Sequence, residues 1–126
     1  MLVLDAGAVT RLSERSERTA ATIKVLRQRS LWPPMVPSVV LVESLTGRPD
    51  RDAATNRFLK GCDVVTDLAE PVVRRAAALR HGARRGSAVD AVVVATAEPG
   101  GRILTGDLRD LRSLAALADN VSIERI

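Results

Sequence analysis

Four acidic residues lie far apart in the chain at positions where carboxylates could do joint chemistry: Asp5, Glu43, Asp90 and Asp107. Asp5 ends the apolar run Leu2-Val3-Leu4, and Asp107 follows Ile103-Leu104-Thr105-Gly106. Glu43 is a lone charge in Val39-Val40-Leu41-Val42-Glu43, a costly position if that stretch is buried. Asp90 falls in the first turn of the helix that Ser87 begins. Carboxylates repel one another unless a cation stands between them, and an all-oxygen set suits hard divalent ions such as Mg²⁺ or Mn²⁺. Such an ion binds a phosphate oxygen and lowers the pKa of a bound water, which is the chemistry of phosphodiester hydrolysis.

The bland reading is equally concrete. Asp5, Asp90 and Asp107 each stand near an expected helix N-terminus, where a carboxylate accepts from free amides and favours the helix dipole. Ser87-x-x-Asp90 resembles a capping box, although Glu or Gln is preferred at its last position. On residue types and spacing alone, a metal site and a set of helix caps stay open as alternatives. Glu43 fits the capping account least, because it is expected inside a helix.

The elements that must position these residues alternate between strand and helix. Leu2–Leu4 reads as a short buried strand. Residues 8–30 read as helical with a break near Ser13–Ser16, and Met35–Pro37 as extended. Val39 begins a helix that Gly47 and Pro49 stop, and a further helix covers Asp50–Leu59. Asp63–Thr66 is a strand. Asp67 with Glu70 opens a helix to His81, with Gly82 just past its end. Ser87 caps a helix to about Glu98. A strand at Arg102–Leu104, a helix from Asp107 to about Ala118 and a strand at Val121–Arg125 complete the chain. Alternation of this kind predicts an α/β fold, a parallel sheet of four or five short strands with helices on both faces. In such sheets, sites form at the carboxyl ends of the strands.

Size and composition bound the reading. The 126 residues suit one domain. Hydrophobic residues make up 46% of the chain, so a packed core is expected, but Trp32 and Phe58 are the only aromatics. Base stacking can therefore contribute little to any nucleic-acid recognition. Cys62 is the only cysteine, which rules out an intrachain disulfide and a thiolate zinc site and fits a reducing cytoplasm. It reads as a small buried hydrophobe. No apolar run is long enough to span a membrane, and no basic segment precedes the first strand, so neither membrane insertion nor a signal peptide is expected. The net charge of +4 favours a polyanionic partner. Arg84 and Arg85, just before the Asp90 helix, are the best-placed cations for phosphates, against a reading of most arginines as solvated surface. His81, the only histidine, reads as a residue of a helix C-terminus, and no Ser or Cys nucleophile motif accompanies it.

Four segments taken in order carry a resemblance to a known family. Leu2-Val3-Leu4-Asp5, Pro37-Ser38-Val39-Val40-Leu41-Val42-Glu43, Ala88-Val89-Asp90 with the small residues that follow it, and Ile103-Leu104-Thr105-Gly106-Asp107-Leu108-Arg109-Asp110 resemble the four acidic motifs of PIN-domain ribonucleases. The likeness is especially to VapC-type toxins of bacterial VapBC toxin–antitoxin systems, and it covers nearly the whole chain. The resemblance implies a three-layer PIN-like domain and Mg²⁺- or Mn²⁺-dependent endonucleolytic cleavage of RNA, leaving 5′-phosphate and 3′-hydroxyl ends. It implies Asp5, Glu43, Asp90 and Asp107 as metal ligands, with Thr105 and Asp110 as supporting members. It also implies a homodimer held inactive by a cognate VapB-type antitoxin. An apolar stripe on the long helical region 11–29 could serve such a partner or simply face the core.

The sequence departs from the family at Gly7, where Ser, Thr or Asn is common. Gly7 also weakens an alternative enzyme class, the haloacid-dehalogenase phosphatases, which need a second acid at that position. A receiver domain is disfavoured because no Lys follows the Leu104 strand as it should. The non-enzymatic alternative is a PIN fold that binds RNA or a partner with little turnover.

Overall fold

The computed structural model describes all residues, Met1–Ile126. Five strands, β1 (Leu2–Leu4), β2 (Met35–Pro37), β3 (Asp63–Val65), β4 (Arg102–Thr105) and β5 (Ser122–Arg125), form one sheet in the order β3-β2-β1-β4-β5. Every pairing is parallel. The expected α/β architecture is therefore observed, at the upper strand count.

The chain leaves β1 in one direction for β2 and β3, then crosses back to β4 and β5. Right-handed crossovers place the helices of these two excursions on opposite faces of the sheet. The first group comprises α1 (Ala6–Ser13), α2 (Glu17–Gln28), α3 (Leu41–Ser44) and α4 (Pro49–Leu59). The second comprises α5 (Glu70–Ala83), α6 (Ala88–Ala97) and α7 (Leu108–Ala115). Contacts follow the same division: α1 packs on α2, α3 and α4, whereas α5, α6 and α7 pack on one another.

A single cluster of 22 buried apolar residues forms the core. Helix α6 lies across β1, β2 and β4, and Ala91–Ala95 and Ala97 are all buried. That near-continuous apolar helix explains how so few aromatics suffice: small β-branched and Ala side chains let α6 sit close to the central strands. Trp32 packs edge-on against Phe58 at 6.2 Å between ring centres, with the Arg27 guanidinium over its face at 5.2 Å. It is a packing residue at the edge of the core. Cys62 is half-buried, and burial pushes its thiol up to about 11, so the thiolate is scarce at neutral pH.

Several local expectations need correction. The helix expected from Val39 is a 3₁₀ turn at Ser38–Val40 followed by the single turn α3, so Glu43 is exposed rather than buried in a longer helix. No Asp67 side chain caps α5. The helix begins at Glu70 with Ala69 before it and Pro71 in its first turn, where a missing N–H costs nothing. Gly82 does not follow α5 but lies within it. A β-carbon there would stand 3.0 Å from Leu117 Cδ1, so glycine serves close packing, and Arg84 in the left-handed conformation ends the helix. The break near Ser13–Ser16 is real: Ser16 caps α2 by accepting from the Thr19 amide at 3.1 Å.

Candidate active site

Sheet register brings the first and last acids together. Leu4 pairs with Leu104, so Asp5 emerges abreast of Thr105 at the carboxyl edge, and the Asp5 amide donates to the Leu104 carbonyl. β2 lies on the other side of β1, and its end delivers the 3₁₀ turn and then Glu43 to that edge. Helix α6 precedes β4 and runs back toward its start, which leaves the α6 N-terminus, with Asp90, at the same edge. An open cleft of about 550 Å³ results. It is lined by Asp5, Glu43, Asp90 and Asp107 together with Thr10, Arg11 and Glu14 among others.

Three of the four acids are also helix caps. Asp5 Oδ1 accepts from the Ala8 amide at 2.7 Å and caps α1. Asp90 Oδ2 accepts from the Ser87 amide at 3.1 Å, while Ser87 Oγ accepts from the Asp90 amide, completing the capping box of α6. Asp107 Oδ1 accepts from the Arg109 amide at 3.0 Å and caps α7. The two readings left open by the sequence are thus compatible. A cap occupies one oxygen of Asp90 and one of Asp107 and leaves the other uncommitted. Three helix N-termini aimed at one cleft also offset part of the carboxylates' mutual repulsion.

The electrostatics of the cleft are unbalanced. Asp5 is buried, and its carboxyl is raised above the ordinary range, chiefly by loss of solvent. Donation from Thr105 and from the Ala8 amide pulls in the opposite direction, and repulsion from Asp90 adds to the rise. None of the four acids makes an ion pair with a basic side chain. The donor chemistry, four carboxylates around one cleft with none of them paired to the single arginine of its wall, Arg11, fits a hard divalent ion. No three of them stand ready-made as a ligand shell. Holding an ion would require Glu43, Asp90 and Asp107 to turn inward on Asp5, and Glu43 and Asp107 are exposed enough to do so.

The supporting residues divide. Thr105 is fully buried and donates its hydroxyl to Asp5 Oδ2, while its oxygen accepts from the Asp107 amide at 2.9 Å. Asp110 does not line the cleft and instead pairs with Arg85 Nε at 3.3 Å. Arg84 and Arg85 line a neighbouring cleft rather than the acidic one.

Gly7 has a structural reason. A β-carbon there would lie 3.2 Å from both the N and Cα of Gly106, so the first turn of α1 and the loop before Asp107 touch backbone to backbone. Sequence reasoning missed Arg11 and Glu14, which reach the cleft from the last turn of α1 and the residue after it; their spacing of four and seven residues from Gly7, one helical face, was the available signal. It also missed Asp52. This carboxylate accepts from the Thr46 amide and hydroxyl and from the Gly47 amide, all within 2.9 Å, and holds the loop after Glu43. Those donors hold its carboxyl below the ordinary range.

The chain matches no model of a known protein family, and no characterised protein is significantly similar to it.

Proposed function

We propose that this chain is a metal-dependent endoribonuclease of the PIN-domain type, acting as the toxin of a toxin–antitoxin pair. One observation carries the reading: Asp5, Glu43, Asp90 and Asp107, remote in sequence, line one open cleft at the carboxyl edge of a parallel sheet with no basic partner among them. A pure RNA binder gains nothing from carboxylates that repel phosphate.

Asp5, Glu43, Asp90 and Asp107 would hold Mg²⁺ or Mn²⁺. When bound, the ion supplies positive charge for a phosphodiester oxygen and acidifies a water for attack on phosphorus. The chain's own residues do the rest. Thr105 fixes the Asp5 carboxylate and, through the Asp107 amide, the start of α7. Asp90 and Asp107 start from capping bonds, which an inward turn toward the ion would loosen. Arg11 lies in the cleft wall as a cation for a non-scissile phosphate oxygen. The open cleft admits a strand rather than enclosing a small substrate.

The second reading, an RNA- or partner-binding PIN fold with little turnover, is favoured by Gly7, which lacks the hydroxyl or amide that the resemblance implies there. One experiment separates the two. Purified protein is incubated with a labelled single-stranded RNA in Mg²⁺, Mn²⁺ or EDTA, alongside Asp5→Asn and Asp90→Asn. The nuclease reading expects cleavage only with the metal and a loss of at least about 100-fold in each variant. Cleavage undiminished in both variants rejects the assigned site. Metal-independent RNA binding without cleavage supports the second reading. The cognate antitoxin and the homodimer remain part of the proposal; inhibition of cleavage by the product of a neighbouring reading frame tests the first, and the solution mass tests the second.

A further inference from the structure

Beside the acidic cleft lies a second one of about 450 Å³, walled by Arg80, His81, Arg84 and Arg85 and floored by Gly86. We propose that it is an RNA backbone-phosphate subsite that holds the strand next to the acidic cleft. This inference rests on the ribonuclease reading for its choice of ligand.

The argument begins with the segment between the clefts. Gly86 lines the basic cleft, and the following residue, Ser87, donates its amide to Asp90 of the acidic cleft. A β-carbon on Gly86 would lie only 3.7 Å from Asp90 Cβ. One loop, residues 84–87, therefore forms the shared wall, and a strand crossing it meets both clefts in succession.

The cations differ in availability. Arg85 is partly neutralised by Asp110 at 3.3 Å. Arg80 is oriented by donation from Nε to the Gly86 carbonyl at 3.3 Å, which leaves its terminal nitrogens for a ligand. Arg84 and His81 make no side-chain hydrogen bond or ion pair within the chain. Arg84 also ends α5 with φ of 51°, a left-handed conformation that glycine adopts at less cost. Three guanidinium groups line one recess, only one of them paired with a carboxylate, and planar guanidinium forks match phosphate oxygens. Scarcity of aromatics leaves backbone charge as the main source of affinity for RNA.

The test uses the full chain carrying Asp5→Asn, so that binding is read without cleavage, and a fluorescein-labelled single-stranded RNA of mixed sequence. Anisotropy gives Kd over a range of KCl concentrations. Arg84→Gly removes the charge while easing the backbone, so its fold is protected, and thermal melting verifies this. Arg84→Gly is expected to weaken binding about fivefold, and Arg80→Ala with Arg84→Gly about 20-fold, with the slope of log Kd against log salt falling by about 0.7 per lost contact. In the cleaving parent, Arg84→Gly is expected to raise KM more than it lowers kcat. Unchanged Kd and salt slope in both variants overturns the subsite, and if the parent still cleaves RNA the nuclease reading survives. A parent that binds RNA through these arginines but never cleaves keeps the subsite and loses the nuclease reading. If only an acidic peptide, and no RNA, loses affinity in the variants, the cleft is a protein-docking site and the proposal fails.

Discussion

The Thr105 hydroxyl donates to the Asp5 carboxylate across 100 positions of sequence, and the same oxygen accepts from the amide of Asp107. One fully buried side chain thereby ties the end of β1 to the start of α7 and fixes two of the four acids relative to each other.

Replacing Thr105 by Val keeps its shape and removes both bonds. The Asp107 amide and a buried carboxylate then lose a partner, which costs about 2–3 kcal/mol. Chemical denaturation of the Thr105→Val protein is expected to show that loss, whereas Thr105→Ser recovers most of it. If cleavage is present, it falls about 10-fold or more in Val and returns in Ser. Equal stability of all three proteins would contradict the assigned role.

Asp5→Asn separates stability from activity. Because burial raises the folded-state carboxyl of Asp5 above its ordinary 3.8, the folded chain holds its proton more tightly than the unfolded chain does. Stability contributed by that group is present at low pH and is lost as pH rises through the folded value. In metal-free buffer the Asn variant, which can still accept from the Ala8 amide, is expected to melt no lower than wild type at pH 7 and to gain on it between pH 4 and pH 7. Mg²⁺ or Mn²⁺ should raise the melting temperature of wild type and leave the variant where it is. A variant that melts well below wild type without metal at pH 7 would falsify this account of Asp5.

Gly86 separates the two clefts, with φ of 88° and a would-be β-carbon 2.7 Å from Leu114 Cδ1. Leu114 is fully buried, so any shift of its side chain must repack the core around it. Gly86→Ala therefore combines left-handed strain with overpacking, together about 2–3 kcal/mol. A melting temperature lower by roughly 8 °C is expected; an unchanged one would show that the loop has room to relax.

Glu124 binds Arg29 and Arg102, each at 2.9 Å, and joins β5 to α2 and β4. These bonds, Arg29 first, lower its carboxyl from 4.5 to about 2. The resulting stability is complete above the unfolded value and disappears as pH falls toward 2. Glu124→Gln should cost about 0.5–1 kcal/mol at neutral pH, since the pair is partly exposed, and only a small part of that near pH 2. Urea titrations at pH 7 and near pH 2 check this, and a gap undiminished in acid would assign the effect to packing instead.

Element order, and the strand count to within one, were legible because each rests on local patterning: apolar triplets for strands, Ser16 and Ser87 as caps, glycine and proline as stops. Helix ends were less legible. Gly82 carries the mark of a C-terminus, yet its absent side chain answers to Leu117, a residue 35 positions away in sequence. Glu43 reads as a lone charge inside a helix, costly if its apolar stretch is buried, but that stretch makes only a single α-helical turn and leaves the glutamate in solvent.

By itself the sequence determined which residues could act, because a carboxylate after a strand or at a helix start is a property of the nearest few residues. Only the tertiary structure decided that Asp5 sits abreast of Thr105, that Gly7 meets Gly106, and that the cations before Ser87 face a separate recess. Those relations depend on the register of parallel strands and on which face each crossover takes, and contacts between distant segments set both.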